Sequence, residues 1–269
     1  MGREYGEGVM LMARENELEF IFKQMVIELD KAVEQAYSIS REDIQKAYDT
    51  GVEIGNKDLS EVGVSFNIPP DPSALEFLEG YSLDLIKGIG EDLKKEVKRV
   101  VREGLIQGKG TRSIAKDLKN VLKRKEWRLH TIARTETLRA SNYGRYDTWK
   151  RSRVVVGKEW VTAFDDRTCP ECELCNGDQA PINKPFNCGV LMPPLHPNCR
   201  CTAIPILDRE LAGLKKGQYD NPKKYLKPRR RELKVRAIER EYTKNLIKSF
   251  RQAFKGILEI WDHYGRLLS

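Results

Sequence analysis

The chain has 269 residues and a formal net charge of +8, and 33% of its residues are charged while 40% are hydrophobic. This hydrophobic fraction is enough for packed cores, and no apolar run approaches the roughly 18 residues of a membrane span. Acidic residues interrupt the opening stretch MGREYGEGVMLMARENELEF, where a signal peptide needs a long apolar segment, so we predict neither a membrane protein nor a secreted one. We expect the chain to be made in a reducing cytosol.

Two amphipathic helices are predicted in the N-terminal part. Apolar residues recur every three or four positions between Leu18 and Tyr37, which indicates one long helix with an apolar face. Ser40 followed by Asp43 is similar to a capping box and predicts the start of a second helix. Three prolines among residues 69–72 then exclude a helix there and predict a linker.

The helical period returns after the prolines and continues to about residue 150. Apolar residues between Ile86 and Val101 form a second stripe, Gly108 is typical of a helix C-terminus, and Thr111 can cap the next helix. A further helix is predicted over KEWRLHTIARTETLRASNYGRYDTWK. Its large apolar residues are expected in the core, namely Trp127, Ile132, Tyr143, Tyr146 and Trp149.

The sequence pattern then changes to one that favours β-strands. RVVVGKEWVTAF is β-branched and aromatic, and CRCTAIPIL closes a segment rich in Pro, Gly and Asn, so each stretch predicts a strand. We therefore predict a mainly α fold with a small β-containing module (α+β) and a long C-terminal helix. The predicted regions are an N-terminal helical region (1–60), a Pro-rich linker (61–72), a helical body (73–150), a strand-rich Cys/His module (151–207), and a basic loop with the C-terminal helix (208–269).

The last predicted helix is both amphipathic and basic. Its apolar residues lie on one face of the helix from Val235 to Tyr264, so the helix must pack on the body or on a partner. Between Arg209 and Arg251, fifteen Lys or Arg stand against five Asp or Glu, a net charge of +10 that leaves about −2 for the rest of the chain. Such a run is typical of a solvated helix face or of contact with a polyanion, above all nucleic acid. The predicted DNA contacts are Arg229, Arg230, Arg231, Lys234 and Arg236.

All six cysteines of the chain fall between Cys169 and Cys201. Cys169 and Cys172 form a C-x-x-C turn, the spacing at which two thiolates can bind one tetrahedral metal ion. A second half-site follows in HPNCRC, which contains His196 and Cys199. Because the strands around these residues offer few large apolar side chains, we predict a structural zinc ion that supplies the missing stability, and hence a zinc-binding module.

Three alternatives to zinc are three disulfides, free thiols and a redox C-x-x-C. A cytosolic chain would not keep three disulfides. Free thiols are unusual at this density, and a redox motif needs no second half-site. Zinc therefore accounts best for the clustering of all six cysteines.

The candidate ligands outnumber the four positions of a tetrahedral site. The predicted ligands are Cys169, Cys172, Cys199, Cys201 and His196. Because alternation along an extended segment sends Cys199 and Cys201 to one side, we rank these two above His196. The residues expected to orient the ligands, unless they are plain surface charges, are Asp165, Asp166 and Arg200. Cys175 and Cys188 remain as a redundant or supporting pair.

Four motifs follow one another over about 75 residues, namely IARTETLRASNYGR, KEWVTAFDDRTCPEC, NGDQAP and PPLHPNCRCTAIPI. Together, in this order, they resemble the phage Mu F-like family of head morphogenesis, or minor capsid, proteins. The positions that carry the resemblance are Arg134-Thr135-Glu136, Trp160, Asp165 to Cys172, Asn176-Gly177 and Pro193 to Cys201. LIQGKGTRSIAKDL at 105–118 extends it, whereas Cys175 and Cys188 lie outside the family pattern.

The resemblance implies a component of tailed-virus or prophage heads, located in the capsid interior of the virion and in the host cytoplasm during assembly. Family members occur in few copies, associate with the portal protein and help to assemble an infectious head. The implied partners are the portal protein, the major capsid protein and double-stranded DNA bound without sequence specificity. Neither a membrane nor a small-molecule substrate is implied.

Two other functions are considered beside this one. A zinc-stabilised nucleic-acid-binding protein outside any virion is disfavoured, because the segment from Cys169 to Cys201 is not basic. Some relatives of the family carry a toxin domain, so a toxin-related enzyme is the third candidate. The sequence has no Gly-rich phosphate loop and no Ser/His/Asp set, so we predict that the protein is not an enzyme.

Overall fold

The computed structural model describes residues 2–61, 63–65, 67–163, 167–208 and 228–268, with side chains from residue 16 onward except 228–232, 265, 267 and 268. The helices of this part of the chain are α1 (Gly2–Glu61), α2 (Pro72–Ile106), α3 (Thr111–Ser152), α4 (Pro170–Leu174) and α5 (Pro228–Leu268). The strands are β1 (Val155–Val161), β2 (Gln179–Pro181) and β3 (Thr202–Leu207).

The predicted fold class is confirmed: the fold is mainly α, with a small β part and a long C-terminal helix. Buried residues recur every three or four positions in the long helices, as the apolar stripes predict. No described helix is both long and apolar enough to cross a membrane. The division of the chain into five sequential regions stays a prediction.

Two local predictions are wrong. α1 continues unbroken past Ser40, whose buried hydroxyl lies 2.6 Å from the Tyr242 hydroxyl, so this serine pairs with another helix instead of capping a helix N-terminus. Trp127 was expected in the core but is 70% exposed, because the apolar face of α3 at this point is formed by other residues. Tyr146 and Trp149 are buried as predicted.

Packing divides the chain into two compact units. The first consists of Met1–Ile39, Leu83–His130 and Lys244–Ser269, and the second of Ser40–Ser82 and Thr131–Thr243. The described part of the first unit is helical, and Trp261 in its core donates from its indole N–H to the Thr111 carbonyl at 3.0 Å. The second unit contains the sheet and all six cysteines.

The sheet of the second unit has the order β2-β1-β3, and both pairings are antiparallel. β1 lies in the centre, and most of its residues are buried, although Val156 is exposed. Trp160 of β1 pairs with Ala203 of β3. The Asn176-Gly177 turn joins α4 to β2, with Gly177 at a φ of +79° that favours glycine. The Gly177 N–H donates to the Trp160 carbonyl at 2.9 Å, which holds this turn against the central strand.

α1 and α3 cross at very close range within the second unit, because two glycines leave room for the opposite backbone. A Cβ on Gly51 would lie 2.1 Å from the Ser141 carbonyl oxygen, and a Cβ on Gly144 would lie 2.2 Å from the Tyr48 carbonyl oxygen. Neither position can hold a larger residue without moving a helix. The crossing fixes the position of α3, and α3 holds the cysteine segment.

Candidate metal centre

The first half-site is a cysteine turn at the start of α4. Cys169 occupies the N-cap position with extended backbone angles, and Pro170 follows as the first helical residue. The Cys169 sulfur accepts a hydrogen bond from the backbone N–H of Cys172 at 3.3 Å. A thiolate is a suitable cap because it carries negative charge at the positive end of a helix. The local sequence therefore aims both sulfurs to one side of the turn.

The second half-site is a tight turn over HPNC. The Cys199 N–H donates to the His196 carbonyl at 3.2 Å, and Asn198 inside this turn has a φ of +61°, which asparagine tolerates better than most residues. The His196 Nδ1 lies 2.8 Å from the Pro197 carbonyl. Because a carbonyl oxygen only accepts, Nδ1 carries the hydrogen and the lone pair of Nε2 is left for a metal ion.

The two half-sites meet. The Nε2 atom of His196 is 3.0 Å from the Cys169 sulfur and 3.1 Å from the Cys172 sulfur, while the sulfurs of Cys172 and Cys199 are 3.7 Å apart. Two overlapping groups could each hold a metal ion, namely Cys169, Cys172 and His196, and Cys172, Cys199 and Cys201. All five predicted ligands belong to one or both groups, and Cys172 belongs to both.

The distance between the two sulfurs fits a tetrahedral metal ion. Two Zn–S bonds of about 2.3 Å at a tetrahedral angle separate the sulfurs by roughly 3.8 Å, close to the distance between Cys172 and Cys199. None of the six cysteines forms a disulfide in the structure. Thiolates and imidazole together favour zinc or another soft divalent ion over magnesium or calcium.

The protonation differs from one sulfur of the cluster to the next. A hydrogen bond from the Cys201 thiol, against opposing burial, lowers the pKa of Cys199 to about 5, so this sulfur is a thiolate at neutral pH. Burial opposes ionisation of Cys169, but the Cys172 N–H and His196 outweigh it and lower the pKa of Cys169. Burial raises the pKa of Cys172, and the hydrogen bond to Cys199 raises that of Cys201.

Two threonines of α3 hold the second half-site in place. The Asn198 N–H donates to the Thr135 hydroxyl at 3.0 Å, and the Asn198 side-chain amide donates to the Thr131 hydroxyl at 3.3 Å. The Thr135 hydroxyl in turn donates to the Thr131 carbonyl at 2.7 Å, so its orientation is fixed. The turn that carries His196 and Cys199 is therefore bound to the middle of a long helix.

Further along the same face, Asn142 and Arg145 hold the chain on both sides of the turn. The Asn142 amide donates to the carbonyls of Pro193 and Cys201, and its oxygen accepts from the Thr202 hydroxyl at 3.0 Å. Arg145 donates to the same Thr202 hydroxyl and forms a buried ion pair with Asp58 at 3.0 Å. These contacts bind the start of β3 to both α3 and α1.

The sequence interpretation missed this polar face. Its members are Thr131, Thr135, Asn142 and Arg145, spaced by four, seven and three residues, and all are buried. A signal was present, because threonine and asparagine are poor interior helix residues and gain little unless their side chains find partners. Arg134 and Glu136 of the same motif are also engaged, with Glu239 at 4.0 Å and with Arg139 at 3.0 Å respectively.

The expectation that the module lacks a core is wrong. Trp160 and Phe186 lie edge to face with ring centroids 5.3 Å apart, and Trp149 of α3 packs in the same apolar cluster. The cluster also includes residues of α1, of β3 and of the cysteine segment itself. The sheet therefore packs on helices, and a metal ion is not the only source of stability for this region.

The remaining predicted residues have different outcomes. Arg200 lines the cleft beside the cluster together with Arg167, whereas Asp165 and Asp166 lie outside the described residues. Cys175 is buried, and burial together with the nearby Cys188 raises its pKa to about 12, so it stays a thiol beside the cluster. No metal group among the described residues includes either of these two cysteines.

The predicted DNA contacts lie at the start of α5. The side chains of Arg229, Arg230 and Arg231 are outside the described residues. Lys234 is exposed and forms an ion pair of 3.0 Å with the exposed Glu53, and Arg236 is exposed. That these side chains contact DNA stays a prediction.

Comparison with known proteins supports the resemblance deduced from the motifs. Residues 95–204 match the family described as "Phage Mu protein F like protein", so the resemblance seen in the motifs is confirmed for this part of the chain. The matched part contains the whole of α3, strands β1 and β2, the first half of β3 and all six cysteines. It therefore includes the cysteine cluster and the helix face that holds it.

An uncharacterized protein of Methanocaldococcus jannaschii is 30% identical over 140 residues. The alignment covers 51% of this chain and 21% of that relative, so the chain spans about a fifth of the length of the protein it matches. No solved structure gives a significant match.

Proposed function

From the phage Mu F-like character of residues 95–204, we propose that the chain is a phage or prophage minor capsid protein that acts in head morphogenesis. One observation carries this proposal: the residues that match the family include the cysteine cluster and the face of α3 that holds it. The resembling part thus includes a cysteine site that buried contacts from α3 hold in one shape. This suits a protein that contributes a docking surface and not a reaction, and we propose no enzymatic activity.

We propose that the cluster binds one structural zinc ion. The contacts between His196 and the first half-site, together with the sulfur pair of Cys172 and Cys199, supply four ligands: Cys169, Cys172, His196 and Cys199. Cys201 competes with His196 for the fourth position, because its sulfur belongs to the second group. The zinc ion would join the α4 turn to the HPNC turn and stabilise both on α3.

Metal analysis of single variants tests the site and separates the two candidates for the fourth position. The wild type should contain one zinc ion per chain, and Cys172→Ala, which removes the shared sulfur, should contain none. His196→Ala should lose zinc and Cys201→Ala should keep it if histidine completes the site. Cys188→Ala is a matched control outside both groups. Zinc-free wild-type protein from a zinc-supplied culture would contradict the proposal.

We propose that the protein associates with the portal and major capsid proteins inside the virion and contacts double-stranded DNA through α5. The support is the family resemblance for the partners and, for DNA, the net charge of +10 between Arg209 and Arg251. Contacts to phosphates would be independent of sequence and strongly dependent on salt. Lys234 would have to exchange Glu53 for a phosphate.

Co-expression with the portal and major capsid proteins of the same genome tests the role in heads. Assembled heads purified on a gradient should contain the chain in few copies, and heads made without it should be fewer or not infectious. Cys172→Ala should reduce its incorporation if the metal-supported module is the docking part. If the chain is absent from heads that assemble normally beside it, the proposed function is wrong, whatever its zinc content.

A further inference from the structure

The first half of α3 presents a row of cations on its outward face. The exposed members are Arg112, Lys116, Lys119 and Lys123, and steps of four, three and four residues place them on one side of the helix. Ile114, Leu118 and Val121 of the same segment are buried on the opposite side. The row therefore points to solvent and not to the core of the first unit.

These four cations have no ion-pair partner in the described part of the chain. Their neighbours on the flanks of α3 behave differently, since Arg124 pairs with Glu96 at 3.1 Å and Lys125 with Asp92 at 3.8 Å. The helix thus neutralises its lateral cations and leaves the outward row free. A polyanion is the ligand that such a row of uncompensated charge attracts.

Trp127 continues the row by one further step of four. Its side chain is 70% exposed, whereas the other three tryptophans of the chain, Trp149, Trp160 and Trp261, are 0% exposed. An indole in this position contributes nothing to the core and offers a flat face to solvent. Nucleic-acid bases stack on such rings, and this is how single strands are held in grooves lined with cations.

We propose that the α3 row binds single-stranded nucleic acid, with the backbone along the four cations and one base stacked on Trp127. From Arg112 to Trp127 the row extends about 22 Å at 1.5 Å per residue, long enough for several phosphates. A duplex would offer phosphates but no free base face, and an anionic membrane needs more apolar surface than one ring provides. This surface is separate from the α5 contact proposed above and does not depend on the role in virus heads.

Neutralising the row tests the electrostatic half of the proposal. The variant R112Q/K116Q/K119Q/K123Q should bind a 12-nucleotide oligo(dT) at least about tenfold more weakly at low salt. Its affinity should also depend less on salt: the negative slope of log affinity against log salt should become smaller in magnitude by about 2.8, roughly 0.7 per lost contact. A control with the same charge change is K31Q/K46Q/K57Q/K255Q. It removes exposed lysines that already form ion pairs within their helices, so it should bind almost as the wild type does.

Tryptophan fluorescence tests the stacking half. Trp127 is the accessible indole, so oligo(dT) should quench the emission of the full-length wild type, and W127F should abolish the quenching while retaining most of the affinity. W127A should bind about tenfold more weakly, because no ring remains for the base. Circular dichroism of each variant should be unchanged, since all five side chains are exposed.

Three results would overturn the proposal. One is an equal loss of affinity in the row variant and the ion-paired control, which would indicate an effect of net charge alone. Another is tighter binding of a duplex of the same length without quenching, and the third is preferential binding of anionic lipid vesicles. Variants of Lys234 and Arg236 in α5 should alter duplex binding and leave oligo(dT) quenching intact. The two proposed contacts, of α5 with duplex DNA and of the α3 row with single strands, can therefore be tested separately.

Discussion

The backbone N–H of Asn198 donates to the Thr135 hydroxyl across 3.0 Å, and so fastens the turn between two candidate metal ligands to α3. Thr135 is an unusual residue for the middle of a helix, and its partner explains its presence. The candidate metal centre is thus supported by a helix that contributes no ligand. Removal of the Thr135 hydroxyl should therefore change the metal affinity of a site in which Thr135 is not a ligand.

Replacing Thr135 with Val should weaken metal binding without removing a ligand. The change keeps the shape of the side chain but removes the acceptor for Asn198, which releases the turn that carries His196 and Cys199. Supporting contacts of this kind commonly change metal affinity by about 10- to 100-fold. Competition with a chromogenic zinc chelator would measure the change.

Thr137→Val is the matched control for that substitution. Thr137 is also buried on α3, and its hydroxyl donates only to the Ala133 carbonyl of the same helix at 2.6 Å. It should lower stability by a similar amount, about 1 kcal/mol, and leave zinc affinity unchanged. An equal loss of affinity in both variants would mean that Thr135 acts through the helix and not through the turn.

Removal of metal should loosen the cysteine segment while the rest of the fold remains. The segment shares an apolar cluster with Trp149 and Trp160, so the sheet and helices keep their packing without an ion. After chelation, far-ultraviolet circular dichroism should change little, because helices account for most of the chain. Amide exchange should accelerate in α4 and in the HPNC turn.

The extent of the faster amide exchange after chelation shows how much of the module the ion stabilises. If chelation unfolds β1 and β3 as well, the ion stabilises the whole module, as the sequence alone suggested. If amide exchange is unchanged everywhere, the cluster binds no metal under the conditions used. Acceleration confined to α4 and the HPNC turn is the result that the packing of the module predicts.

Lys158 should stabilise the second unit through its hydrogen bonds to three backbone carbonyls. It is fully buried in β1, and its ammonium group donates to the carbonyls of Pro181, Ile182 and Lys184 at 3.0, 3.0 and 2.5 Å. Lys158→Met would leave three carbonyls without this donor, so the free energy of unfolding should fall by about 3 kcal/mol. Lys184→Met, at an exposed position whose carbonyl is retained, should have almost no effect.

The difference in the free energy of unfolding between the wild type and Lys158→Met should increase with pH. Burial lowers the pKa of Lys158 from 10.5 to about 8, so between these values the unfolded chain holds a proton that the folded chain has lost. Unfolding then takes up a proton, and through this group the free energy of unfolding rises with pH. Urea titrations at pH 7.5 and 10 should show a larger gap between wild type and Lys158→Met at the higher pH. A smaller gap would mean that the carbonyls, not burial, set this pKa.

The sequence predicted the long helical stretches, two strands and the cysteine cluster because each has a local pattern, although α1 and α3 were each predicted as two helices and α4 was not predicted. Cys169 and Cys172 are close in sequence, and one turn of chain geometry brings their sulfurs together. The support from Asn142 and Arg145 could not be read in the same way, because their partners lie 51 to 87 residues away. Trp127 was misplaced since composition does not say which aromatic residue of a helix faces the core.

Gly144 should not tolerate alanine, because its hydrogen faces the backbone of α1. The added Cβ would lie 2.2 Å from the Tyr48 carbonyl oxygen, so the two helices would have to separate, and Asn142 and Arg145 would move with α3. We expect a loss of about 3 kcal/mol in the free energy of unfolding, together with weaker zinc binding. Gly88→Ala in α2 is the control, because nothing lies within 4 Å of the added atom, and it should stabilise the helix by about 0.5–1 kcal/mol. If Gly144→Ala retained both stability and zinc affinity, the close crossing would not be what positions the metal centre.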